Sequence, residues 1–117
     1  RDRGNISLGK GPAISLFSFH GRGTLNGVIP HPALVKLFEK TALQNKIPLQ
    51  KSAHNGALTD LSYVQLVGKG VACIDVGFPL RYSHSSLEIC DLNDLIQLTK
   101  LLGEVLDNID SKIDLNR

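Results

Sequence analysis

Methionine does not occur in the 117 residues, and the chain opens Arg1-Asp2-Arg3-Gly4. Translation starts at methionine, so the sequence is expected to be a cut, processed or incompletely recorded piece of a longer protein. Aromatics are scarce: six residues do not furnish the stacking platform with which proteins hold single-stranded nucleic acid. Charge of one sign is not in excess either. Thirteen basic and eleven acidic residues are interspersed, for a formal net charge of +2, and no basic run or helix stripe offers a surface to a polyanion. No apolar run reaches the ~20 residues that span a bilayer, and no charged-then-apolar leader is expected. Two cysteines do not make a disulfide framework, and Cys73 lies in an apolar run, which fits a reduced, cytoplasmic protein. Neither nucleic acid nor membrane is therefore expected as a partner.

What is present is 42% hydrophobic and 21% charged, the composition of a globular segment with its own core. Residues 1–11 are polar and glycine-rich, a loop leading in, with 1–7 as its polar tail. Pro12 to Phe19 alternates apolar and small polar residues, as a strand does. His20 to Pro30, with Gly21, Gly23, Asn26 and Gly27, reads as a loop. Pro32 suits a first helical position, where its missing N–H costs nothing. Leu34, Leu37, Phe38 and Ala42 then share one apolar face, with Lys36, Glu39 and Lys40 outward, until Asn45 and Pro48 stop the helix.

Ile47 to Ser52 is a short second strand, and His54 to Asp60 a turn. Thr59 or Asp60 is placed to cap a second helix ending near Gly68 or Gly70. Val71 to Val76 is apolar except for Asp75, the pattern of a strand buried on both faces, and Asp75 must be paired or hydrogen-bonded there. A loop through Pro79 and His84 precedes the last helix. Asp91 caps it, Asp94 follows three residues on, and Leu92, Leu95, Ile96, Thr99, Leu102, Val105, Leu106 and Ile109 form its stripe. This alternation predicts a single α/β segment over residues 1–117. Its sheet is mainly parallel or mixed, with right-handed crossovers and helices covering its faces.

Several common chemistries find no support. Gly9-Lys10-Gly11 runs into Pro12 rather than a phosphate-binding Gly-Lys-Ser/Thr, and the glycines from Gly21 lack the third member of a dinucleotide fingerprint. No Gly-x-Ser-x-Gly elbow occurs, the cysteines and histidines lack zinc-ribbon spacing, and no convincing carboxylate pair serves a glycosidase. The remaining candidates sit where strands end, because open parallel sheets bind ligands there. His84, in Pro79-Leu80-Arg81-Tyr82-Ser83-His84-Ser85-Ser86, is either a half-exposed loop histidine or a metal ligand. In the second role Ser85 or a backbone carbonyl would orient its other ring nitrogen. Arg81 either grips a substrate carboxylate or pairs with a structural acid. His31 is most simply a helix-start residue, and His20 and His54 turn residues; Cys73 and Cys90 read as inert packing.

Taken in order, Leu8-Gly9-Lys10-Gly11-Pro12-Ala13-Ile14, His31-Pro32 with Leu34, Ile47-Pro48-Leu49-Gln50, Thr59-Asp60 and the Arg81-Tyr82-Ser83-His84-Ser85 run resemble one family. It is the C-terminal part of the dinuclear-metal aminopeptidases: glutamyl, deblocking and tetrahedral aminopeptidases, some members labelled endoglucanase. The resemblance covers about residues 8–109. It implies the C-terminal portion of a zinc-peptidase α/β fold, and an intact enzyme that removes N-terminal residues from peptides with two divalent metal ions, zinc or cobalt. It maps one metal ligand onto His84 and a substrate-pocket wall onto Thr59, Asp60, Arg81 and Tyr82. The general base, the dimerisation domain and the other ligands (an early His-x-Asp, a bridging aspartate, a Glu-Glu pair and a later aspartate) belong upstream.

No catalytic residue is therefore expected in this chain, which on its own should be inactive and hold at most a weak single metal site. Three departures from the family pattern predict an altered pocket. Ala57-Leu58-Thr59-Asp60-Leu61 replaces Gly-Gly-Thr-Asp-Ala, Ser86 stands where proline often follows His-Ser, and the loop from Phe19 to Pro30 is longer. A homo-oligomer is expected. The alternative is a non-catalytic α/β binding or scaffolding piece that pairs with another chain.

Overall fold

The alternating run after Pro12 forms strand β1 (Ala13–Phe19), which becomes the middle of a four-stranded sheet. The structure, a computed structural model, describes residues 6–19, 27–55, 59–110 and 113–116. His20, the glycine run within 21–26 and residues 56–58 of the expected turn lie outside this description. Along one edge β1 pairs in parallel with β3 (Gln50–Asn55), and α1 (Pro32–Gln44) makes the crossover that a parallel pair requires. The other edge is shared by two short antiparallel strands. β2 (Gly27–Val28) lies against Ser18 and Phe19, and β4 (Asp75–Gly77) against Ala13 to Ser15. The sheet is therefore mixed. After the single turn α2 (Leu61–Val64) and β4, a separate antiparallel pair, β5 (Leu80–Arg81) with β6 (Ile89–Cys90), leads into the last helix, α3 (Leu92–Asn108).

The two long helices form much as the periodicity predicts, and their ends show why. His31 is the N-cap of α1: its Nδ1 accepts from the Ala33 N–H at 3.2 Å, while its own N–H reaches the Cys73 carbonyl at 2.9 Å. At the other end Lys46 adopts φ +55, and the N–H groups of Lys46 and Ile47 return to the carbonyls of Leu43 and Ala42. This closes the helix in a Schellman motif. Ile47 is thereby used up in the closure and drops into the core, and Pro48 has no N–H for a ladder. Those two facts move the second strand from the expected 47–52 to Gln50–Asn55.

Four expectations need correction. First, β1 carries a bulge at Leu16, so its alternation slips: Ser15 and Ser18 are buried, whereas Leu16 and Phe17 are each 37% exposed. Second, the 71–76 run is not a strand buried on both faces. Only its end pairs with β1, because β2 already occupies the upper half of that edge and the Cys73 carbonyl is committed to α1. Third, the second helix lasts one turn and then breaks into three-residue turns leading to Gly68 (φ +60) and Gly70 (φ +96).

Fourth, α3 is rotated. Its buried line is Asp94, Leu101 and Val105, and most of the foreseen stripe faces outward, with Leu92 70% and Leu106 69% exposed. The two long helices pack against each other and share a core of Ile14, Phe38, Ala42, Ile47, Leu101 and Val105, so both lie over the same face of β1.

The rotation of α3 has a polar cause. Asp94, expected as a partner of the cap, is fully buried, and its two carboxylate oxygens accept the N–H groups of Gly11 at 2.7 Å and Gly9 at 2.8 Å. Gly11 is left-handed (φ +88), and a Cβ there would stand 2.2 Å from the Pro48 carbonyl oxygen. The Gln50 side chain fastens the same segment, donating to the carbonyls of Ser7 and Gly11 and accepting from the Ser7 N–H. Asp94→Asn puts a donor where one glycine N–H needs an acceptor, and is expected to cost about 1–3 kcal/mol. Gly11→Ala is expected to cost at least as much, from the overlap and the positive φ together. Urea unfolding of the chain measures both, and unchanged midpoints would remove the clamp from the account.

Candidate functional site

The Arg-Tyr-x-His-Ser run occupies a hairpin. Leu80 pairs with Cys90 and Arg81 with Ile89, and residues 82–88 close the end. Tyr82 and His84 have φ of +59 and +64, the left-handed conformation that costs a side-chain-bearing residue roughly 1–2 kcal/mol. Local bonds hold them there. The Ser85 N–H and hydroxyl both reach the Tyr82 carbonyl, at 3.1 and 2.6 Å, and the same hydroxyl lies 2.8 Å from the Leu87 carbonyl. Glu88 Oε1 accepts the His84 N–H at 2.7 Å. His84 is exposed, and among the described residues its ring enters no hydrogen bond or ion pair. The expectation that Ser85 orients that ring is not met, because the single Ser85 hydroxyl proton is directed at the neighbouring Tyr82 and Leu87 carbonyls.

Arg81 is exposed and makes no ion pair among the described residues, so the pairing with a structural acid does not occur there. With Ile6, Leu8, Phe78, Pro79 and Leu80 it lines a cavity of about 290 Å³. Tyr82, beside it, is 68% exposed. Thr59 and Asp60 stand at the start of α2, and neither side chain caps it. Asp60 already has helical angles (φ −60, ψ −20), whereas a capping side chain folds back from an extended residue. The Thr59 hydroxyl instead donates to Asp75 Oδ2 at 3.0 Å, which supplies the partner that Asp75 required. Among the described residues no hydrogen bond or ion pair joins Thr59 or Asp60 to the hairpin.

The other histidines are structural or peripheral. His31 is buried at the start of α1, with Nε2 3.3 Å from the Asn116 carbonyl, and His54, expected in a turn, is an exposed residue of β3 opposite Ser18. Among the described residues no three His, Cys, Asp or Glu side chains gather closely enough to hold a metal ion. Among the described residues the donors thus do not make a complete metal site, and His84 stands as a single exposed imidazole. Two residues that matter here escaped the reading of the sequence. Glu88 had no signal beyond its spacing of four from His84, and Asp94 was masked by its position as an ordinary cap partner.

The family model for M42 glutamyl aminopeptidases matches residues 1–101. The chain belongs to the M42 glutamyl aminopeptidase family. Among the proteins it resembles, SgcX of Escherichia coli is 37% identical over 101 residues, covering 86% of this chain and 27% of that protein. The lysyl aminopeptidase of Pyrococcus furiosus is 32% identical over 111 residues, covering 92% of this chain and 29% of that one.

Two solved structures extend the likeness to the fold. An aminopeptidase from Desulfurococcus kamchatkensis superposes with a TM-score of 0.83 at 30% identity, over 93% of this chain and 31% of that one. The TET1 peptidase of Pyrococcus horikoshii, which can assemble into a tetrahedron or a large octahedral shell, gives 0.66 at 30% identity, over 87% and 27%. The chain spans less than a third of the length of each of these relatives. Thr59→Val, which keeps the shape but leaves the Asp75 carboxylate without its donor, is expected to lower stability by about 1–2 kcal/mol in urea unfolding, with Thr59→Ser near the parent value. Equal midpoints for all three would show that the bond carries no weight.

Proposed function

We propose that this chain is the C-terminal part of a metal-dependent aminopeptidase that removes N-terminal residues from peptides in the cytoplasm. His84 provides one ligand of its two-metal centre. The observation that carries this reading is the His84 imidazole: exposed, free of partners among the described residues, and held at the left-handed tip of a hairpin in an M42 chain. When bound, two divalent ions, zinc or cobalt, supply Lewis-acid activation for hydrolysis. The residues here do simpler things. His84 offers a neutral ring nitrogen. Arg81, charged and without an ion pair among the described residues, offers its guanidinium fork to a peptide carbonyl or carboxylate beside that nitrogen. Tyr82, Thr59 and Asp60 form the pocket wall. A general base and the remaining ligands come from sequence outside this chain, so residues 1–117 alone hold at most one weak metal ion and turn over no substrate.

The alternative, a non-catalytic piece that pairs with another chain, draws on the outward apolar line of α3: Leu92, Leu95, Ile96, Leu102, Leu106 and Ile109. Both readings require that this line be covered by further protein, and the assemblies of the TET1 relative support a homo-oligomer for the complete enzyme. They part at His84. In the complete enzyme, His84→Ala is expected to remove metal and to cut kcat/KM by on the order of a hundredfold or more, since even indirect partners of metal ligands cost ten- to a hundredfold. The scaffolding reading predicts full activity of the parent assembly. The purified chain, given zinc or cobalt and aminoacyl chromogenic substrates, is expected to show no turnover, and clear turnover would end the claim of inactivity. In sedimentation the chain is expected to associate through the α3 line, and a compact monomer at high concentration for both it and Leu106→Glu would count against that surface.

A further inference from the structure

The geometry of the hairpin assigns a role to Glu88: it is a positioning residue that fixes His84 for coordination, acting through the His84 backbone and not through the metal. This rests on the reading of His84 as a ligand. Its ground is the clamp already described. His84 sits in a left-handed conformation that a β-carbon resists, and the residue two before it, Tyr82, does the same. A loop tip with two such residues relaxes unless its surroundings over-determine it. Ser85 closes the tip on the Tyr82 side: its N–H donates to the Tyr82 carbonyl, and its single hydroxyl proton lies within reach of the Tyr82 and Leu87 carbonyls. That leaves the His84 N–H, and Glu88 Oε1 takes it at 2.7 Å. A carboxylate accepting an amide proton makes a bond stronger than a neutral pair.

The returning strand carries the anchor. β6 pairs Ile89 with Arg81, so Glu88 stands at the last position before the ladder and is held by it. The hydrogen bond thus transmits the position of the β5–β6 ladder to the φ of His84, and the ring follows the backbone. The same bond keeps the carboxylate on an N–H group of the loop. The bidentate grip of Arg81 on a ligand therefore need not compete with Glu88, and no ion pair joins the two among the described residues.

Two measurements test this. In the chain as it stands, hydrogen exchange reads the His84 amide: Glu88→Ala is expected to speed its exchange, while Glu88→Gln, which keeps an acceptor oxygen at the same reach, leaves it slow. In the complete enzyme, cobalt(II) is the probe, with its affinity taken from chelator competition and its geometry from the visible absorption band. Glu88→Ala is expected to weaken cobalt binding about tenfold and alter the band. Glu88→Gln should restore both to near the parent values, and Ser85→Ala should fall between them. If Glu88→Ala binds cobalt like the parent while His84→Ala loses it, the positioning role is wrong and His84 remains a ligand. Losses as large in Glu88→Gln as in Glu88→Ala would also overturn it, since they would make the carboxylate charge, not the backbone bond, the cause. If His84→Ala keeps all its cobalt, the reading of His84 falls, and the role of Glu88 with it.

Discussion

One buried carboxylate sets the geometry of the chain. Asp94 leaves water completely and is repaid by two glycine N–H groups, one on each oxygen, at the positive end of α3. The consequence is positional. Gly11 feeds directly into β1 and lies against Pro48, which leads into β3. The bonds therefore lock the start of the last helix to the start of the parallel pair. Once Asp94 points at the sheet, residues seven and eleven positions further along the helix must do so too, and Leu101 and Val105 are the apolar residues found buried there. The outward apolar line of α3 is the necessary other side of that choice.

The candidate site follows a different logic, in which backbone conformation is stored and held by short-range bonds. Tyr82 and His84 accept unfavourable angles, and Ser85 and Glu88 hold them. The result is a loop whose imidazole has no partner among the described residues while its backbone is tied on both sides. Thr59 belongs to the support of β4 through Asp75, a structural bond from a residue that the family pattern associates with the pocket. The two parts of the expected site thus have distinct anchors, β4 for one and the β5–β6 ladder for the other, with Pro79 between them.

Exposed large side chains run along α3 and through Tyr63 to Val71, next to a sheet only three strands wide, in which β2 and β4 share one edge of β1. Core formation and site formation separate. Ile14, Phe38, Ala42, Ile47, Leu101 and Val105 make a core within the chain, whereas the ligand count for a metal is not reached by the described residues.

Periodicity and end chemistry were enough to read β1, α1 and α3 from the amino-acid order, because Pro32, Asn45 and Asp91 act on their own neighbours and need no partner far along the chain. The Arg81-to-Ser85 run was legible for the same reason, as a local motif. What could not be read locally was every feature decided by a distant group. The bulge at Leu16 depends on the register with β3, the shortness of β4 on competition with β2 for one edge, and the Thr59 bond on where Asp75 comes to lie. Above all, an amphipathic helix offers two possible faces when a buried acid outranks a longer line of leucines, and hydrophobic spacing alone favours the wrong one. Burial of a charge is worth its cost only where donors wait for it, and the donors, Gly9 and Gly11, stand more than eighty residues away.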